Sequence, residues 1–239
     1  IKRKICVVVA SRANYGRIKG TMQSIKENPE LDLQVVVAAS ALLPRYGKAV
    51  DYIEEDGFQI NARAYMVVEG GTPSTMAKST GLAIIELSSI FESLHPDVVL
   101  TVADRYETLA TAVAASYMNI PLAHTQGGEV TGSIDESVRH AITKLAHIHF
   151  PTTELSRQRL IQMGENIEKI YTVGCPSIDL IESLDLGITD EFIETYTRRG
   201  VGAGVDFTRP YLVVLQHPVT NEFGEGISQI SATLEAVRE

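Results

Sequence analysis

Unbroken apolar runs alternate with amphipathic stretches along most of this chain, and that alternation leaves few folds open. Runs such as V-V-V-A before Ser11 and V-V-L-T-V-A before Asp104 are continuous. Strands buried on both faces of a parallel sheet look like this. Strands are expected over Ile5–Ala10, Leu33–Ala39, Ala64–Val68, Asp97–Val102, Leu122–Thr125, His149–Pro151 and Ile170–Val173. Helices are expected over Tyr15–Lys26, Lys48–Glu55, Ser74–Ser93, Tyr106–Tyr117, Ile134–Ala146 and Glu154–Met163. Strand and helix in turn imply right-handed crossovers and an α/β, doubly wound parallel sheet.

The rhythm changes after Cys175. Short helices are expected over Pro176–Ser183 and Thr189–Arg199, then a glycine-rich break at Gly200–Gly204. A strand over Tyr211–Gln216 and a helix over Gly226–Val237 follow. The expected division is a first domain over 1–175, then a linker and the opening of a second α/β unit over 176–239. One strand and one helix cannot bury their own faces, so the rest of that unit is expected beyond the given sequence.

The basic opening before Ile5 imitates a secretory signal, but its apolar part is short and Ser11-Arg12-Ala13-Asn14 is no cleavage site. No run approaches the ~20 apolar residues of a membrane helix. Cys6 and Cys175 lie far apart without metal-ligand spacing, so a reduced, cytoplasmic protein is expected. A formal charge of −9 argues against nucleic acid as partner. It leaves nucleotides open, because local arginines and helix N-termini can hold a diphosphate.

The polar residues gather where strands end, the place for ligands in an open α/β sheet. Ser11-Arg12-Ala13-Asn14-Tyr15-Gly16-Arg17 follows the first strand and starts the first helix, and Arg12 there can take an anion or lie in solvent. Asp104 and Arg105 follow Asp97–Val102. Asp104 can act as a general base, orient one, or cap the next helix. The loop Ala123–His140 is the densest stretch, with His124, Gln126, Glu129, Asp135, Glu136, Arg139 and His140 around Gly127, Gly128 and Gly132. Glu129 and Asp135 can form an acid–base pair, while Ser133 or Asp135 can cap the helix. Asp135 and Arg139, spaced i,i+4, share a helix face and can also form a plain surface ion pair. His147 and His149 add to the count, yet no H-E-x-x-H or cysteine pair supports zinc, and no metal is expected. Asp179 follows Gly174-Cys175-Pro176, and His217 ends the strand Tyr211–Gln216.

Taken in order, S-R-A-N-Y-G, A-D-R-Y-E-T-L-A, G-G-E-V-T-G-S-I-D-E-S-V-R-H-A-I-T-K-L-A-H, G-C-P-S-I-D and L-Q-H-P-V-T resemble the UDP-N-acetylglucosamine 2-epimerase family. The likeness is greatest to its hydrolysing branch, which serves sialic acid synthesis. The resemblance implies two Rossmann-like domains, as in B-type glycosyltransferases, with this chain carrying the N-terminal half. It implies elimination of UDP across C1 and C2 of a UDP-linked HexNAc to a glycal, then addition of water to release the epimerised sugar. It implies no cofactor and a homo-oligomer, dimer or tetramer. By position it makes Asp104, Asp135, Arg139 and His217 active-site residues, Arg12 and Arg105 contacts to UDP, and Asp179 a supporting residue. The loop itself adds Gln126 and Glu129 to the candidate catalytic set and His124 to the substrate-binding set.

The chain departs from the family pattern in three places. Glutamine stands at Gln126 where the family usually has a catalytic glutamate. Ser40-Ala41-Leu42 replaces the end of G-S-H-L, and Val102-Ala103-Asp104-Arg105 replaces H-G-D-R. Such changes fit a branch handling another sugar nucleotide, such as a di-N-acetylated 6-deoxy sugar. They also fit a sugar-nucleotide-binding homologue without turnover.

Overall fold

The computed structural model describes residues 2–182, 184–185, 187–199, 201–202, 204–217, 222 and 224–238. Of the positions named above, Ile1, Ser183, Gly200, Ala203, Pro218, Val219 and Thr220 lie outside the described residues. The chain divides into two units, Ile1–Glu182 and Ser183–Glu239.

The first unit is built on strands β1 (Arg3–Val9), β2 (Leu31–Ala38), β3 (Ile60–Ala64), β4 (Val98–Val102), β5 (Leu122–Thr125) and β6 (Ile148–Phe150). All pairings are parallel, in the order β3-β2-β1-β4-β5-β6. This is the order of a Rossmann-like, doubly wound sheet, and it reverses direction between β1 and β4. Its helices are α1 (Arg12–Glu27), α2 (Ala49–Glu55), α3 (Pro73–Leu94), α4 (Tyr106–Tyr117), α5 (Ile134–Leu145), α6 (Glu154–Gln162) and α7 (Pro176–Glu182).

The continuous apolar strands feed two cores. Val7 and Val9 of β1 pack with Ile18 and Met22 of α1 and Ile53 of α2. Cys6 and Val8, pointing the other way, pack with Leu87 and Phe91 of α3 and Ala110 and Ala114 of α4. Burial at a fully enclosed site raises the Cys6 thiol to about 12, so it acts as a packed hydrophobe.

Three expected strands come out differently. β3 starts and ends earlier than the expected Ala64–Val68. It is an edge strand whose half-exposed, alternating face suits Ile60-Asn61-Ala62-Arg63 better than a continuous apolar run. Met66 leaves the sheet and buries itself in the core instead. Of Ile170–Val173, only Ile170 forms a bridge, to His149. Tyr211–Gln216 forms no strand, and the described residues of its unit contain no other strand that could pair its backbone.

The second unit contains α8 (Asp190–Arg199) and α9 (Gly226–Arg238). Phe192, Tyr196, Phe207 and Tyr211 form its aromatic cluster, with centroids 4.4 to 5.7 Å apart between neighbours.

Candidate active site

Three strands of the first unit end in a residue that L-amino acids rarely tolerate. Ala39 after β2, Ala103 after β4 and Gln126 after β5 have φ of 49°, 64° and 61°. Left-handed backbone at non-glycine residues costs of order 1–3 kcal/mol each and concentrates at functional sites. Here it turns the chain sharply at the carboxyl edge, beside the reversal in strand order.

Ser11 caps α1 by accepting from the Asn14 amide at 3.1 Å. Arg12 is exposed at the first position of that helix, its guanidinium over the Gly47 turn. Arg17, one turn on, donates from Nη1 to Gln126 Oε1 at 3.1 Å. That contact spans 109 residues of sequence and fixes which end of the Gln126 amide faces Arg17. Gln126 is buried, with Nε2 3.9 Å from Cys175 Sγ. Beside it a cavity of about 240 Å3 is lined by Thr125, Phe150, Thr152, Val173 and Pro176 among others.

Asp104 does not cap α4; that position belongs to Arg105, which makes no side-chain cap. Asp104 instead pairs with Arg139 Nη2. Arg139 is 2% exposed and also donates from Nη1 to the Glu129 carbonyl at 2.8 Å. The surface ion pair open to Asp135 and Arg139 gives way to this buried one. Asp135 lies close enough to Asp104 that burial first, and then the Asp104 charge, raise its pKa above the usual carboxylate range. Arg105 and Arg139 oppose that rise. Ser133 takes the capping role on α5, accepting from the Asp135 amide at 3.2 Å.

Arg105 Nε lies 3.3 Å from Glu107 Oε2, and its guanidinium sits 5.8 Å from the Tyr106 ring centre. With Nε engaged, the terminal nitrogens are the donors left for an anion. Glu107 is buried, and burial raises its pKa despite Arg105.

The loop glycines are required by space. A Cβ on Gly128, whose φ is 79°, would come 2.3 Å from the Ser156 carbonyl oxygen. One on Gly127 would press on Thr143 and His124 at 3.1 and 3.2 Å. The Glu129 carboxylate accepts from Thr152 Oγ1 at 2.9 Å.

The structure thus gathers Asp104, Arg105, Asp135 and Arg139 into one charged cluster, with the Glu129 carbonyl bonded into it. Gln126 ends the neighbouring strand, bonded to Arg17, and Arg12 begins α1 at the end of β1. His124 is fully buried and Asp179 is exposed on α7. His217 is exposed and belongs to the second unit. His147 accepts the Leu122 amide on Nδ1, and buried His149 faces Glu165 at 3.2 Å. Arg17, Glu107, Thr143 and Thr152 are partners that the sequence does not single out. Only Glu107 carries a signal, an acid in the first turn of a helix two residues after a candidate arginine.

A sequence model for the family described as UDP-N-acetylglucosamine 2-epimerase matches residues 23–239. A protein of Legionella pneumophila named UDP-N,N'-diacetylbacillosamine 2-epimerase (hydrolyzing) is 38% identical over 98% of this chain and 60% of its own length. A Campylobacter jejuni protein named GDP/UDP-N,N'-diacetylbacillosamine 2-epimerase (hydrolyzing) is 35% identical over 77% of this chain and 48% of its own. The chain therefore spans about half the length of the curated relatives it matches. The crystal structure of UDP-GlcNAc 2-epimerase from Neisseria meningitidis bound to UDP-GlcNAc superposes with a TM-score of 0.67 at 20% identity, over 75% of this chain and 48% of that one.

Proposed function

Because the chain belongs to the UDP-N-acetylglucosamine 2-epimerase family, we propose that it supplies the carboxyl-edge site of a hydrolysing sugar-nucleotide 2-epimerase. Its substrate is a UDP-linked 2-acetamido sugar, and a 2,4-diacetamido-6-deoxy hexose is preferred over N-acetylglucosamine. Residues 1–175 form the catalytic domain in this reading, and 176–239 begin a second one. The observation that carries it is the Asp104–Arg139 pair with Asp135 and Arg105 beside it. The substrate preference leans on the names of the two relatives above and on this chain's own departures at Ala41, Val102 and Gln126.

The chemistry follows from the charges. Arg105 and Arg12, at neighbouring strand ends, take the diphosphate and offset the charge it gains on leaving C1. Asp135, with its raised pKa, exchanges the C2 proton. The C2–H electron pair becomes the C1=C2 double bond, and the C1–O pair departs with UDP. Water then adds across the C1=C2 bond, its hydroxyl to C1 and a solvent proton to C2 on the face opposite Asp135, and Asp135 returns the proton it took to solvent. Asp104, paired with Arg139, lies beside Asp135 and contributes to the raised pKa of Asp135. Gln126 cannot exchange protons near neutral pH and acts as a hydrogen-bonding group anchored by Arg17.

The test is incubation of full-length protein with UDP-2,4-diacetamido-2,4,6-trideoxyglucose and with UDP-N-acetylglucosamine, following UDP and free sugar by NMR. Faster UDP release from the diacetamido substrate, with an epimerised free sugar, is expected. Binding of both without release of UDP from either would favour a silent binding protein, the reading that Gln126 invites.

A further inference from the structure

The imidazole of His124 lies behind the charged cluster, in β5, with no exposed surface. Its Nε2 is 2.7 Å from the Ala103 carbonyl oxygen, and its Nδ1 is 3.4 Å from Thr143 Oγ1. A carbonyl can only accept, so Nε2 carries the hydrogen and Nδ1 accepts from the threonine hydroxyl. Both contacts reach the site at one remove. Ala103 immediately precedes Asp104 and holds the left-handed φ of 64°. Thr143 follows Arg139 by four residues, on the same face of α5. The ring therefore touches both segments whose side chains form the Asp104–Arg139 pair.

We propose that His124 is the positioning residue of the Asp104–Arg139 pair, a neutral imidazole that bridges the turn after β4 to helix α5. It sets how the carboxylate and guanidinium face each other and the sugar nucleotide, and it touches no substrate. This rests on the function proposed above for the same site. The bridge demands more than volume: it needs a donor toward Ala103 and an acceptor toward Thr143. Burial pushes the ring's pKa down to about 4, so the tautomer with a bare Nδ1 holds at neutral pH. Gly127 passes so close to Nδ1 and Thr143 Oγ1 that even a Cβ would crowd them. The ring is thus clamped and cannot swing into the site.

Full-length protein, His124→Leu and His124→Gln decide it. Leucine fills the volume without a donor, whereas glutamine can place an N–H near the Nε2 position. His124→Leu is expected to lose kcat by about 100-fold, the effect of a small misplacement of catalytic groups, with KM little changed. His124→Gln is expected to recover most of that loss. Equal kcat in both variants, or a change confined to KM, would overturn the proposal. Imidazole 15N NMR of the unsubstituted protein gives an answer that needs neither variant folding nor turnover. A neutral Nε2–H ring from pH 8 to pH 5.5 is expected; an Nδ1–H ring, or titration near pH 6.5, would overturn it. Absence of turnover by the unsubstituted protein would refute the epimerase reading, and the NMR result would still judge the bridge.

Discussion

Arg139 reaches from α5 to Asp104 at the end of β4, and the pair is buried, with side-chain exposures of 3% and 16%. Removing one member leaves the other's charge without its partner. Arg139→Ala is therefore expected to lower unfolding stability by about 3–5 kcal/mol. Urea denaturation at pH 7 measures this. A loss below about 1 kcal/mol would place the pair among surface ion pairs.

Asp135 pulls stability and activity in opposite directions. Its folded-state pKa is raised, so its ionised form is disfavoured in the native protein. The penalty is present at neutral pH and vanishes as pH falls below the unfolded value of about 3.9, where both states are protonated. Asp135→Asn is expected to raise Tm at pH 7 and to leave it unchanged at pH 3, while abolishing turnover. A lower Tm at pH 7 would contradict the raised pKa.

Gly128 and Gly132 both have positive φ, of 79° and 72°, but only Gly128 is crowded. Gly132→Ala pays for backbone conformation alone, about 1–2 kcal/mol. Gly128→Ala adds a collision with the Ser156 carbonyl and is expected to cost about 3 kcal/mol or more. Equal losses in thermal unfolding would show that the loop yields at Ser156.

Gln126→Glu introduces a carboxylate where Arg17 Nη1 already lies 3.1 Å from Oε1. The new carboxylate is expected to be held ionised, with a lowered folded-state pKa. It stabilises the fold by about 1 kcal/mol at pH 7, the difference between a charged and a neutral hydrogen bond. That gain is present above the unfolded pKa of about 4.3 and is lost as pH falls through the lowered value. A destabilised variant at pH 7 would show that Arg17 does not face the new charge.

The sheet and its helices were legible because each strand and helix carries its own period. α4 and β5 occupy the residues expected for them, Tyr106–Tyr117 and Leu122–Thr125. The misses depend on partners distant in sequence. Whether Ile60–Ala64 or Ala64–Val68 enters the sheet depends on β2, and among the described residues Tyr211–Gln216 has no strand of its unit to pair with. At the site, the strand-end motifs marked the right edge. The motifs could not show that Arg139 chooses Asp104 over Asp135, or that His124 sits behind the cluster. Both outcomes depend on how α5 packs against the turn after β4.

Deuterium incorporation at C2 of the released sugar, with full-length protein in heavy water, tests most directly whether this cluster works on a sugar nucleotide. Unsubstituted protein is expected to give free sugar fully labelled at C2, and Asp135→Asn to bind UDP normally and release no labelled sugar. Unlabelled product, or labelling at an undiminished rate by Asp135→Asn, would contradict the role given to these residues.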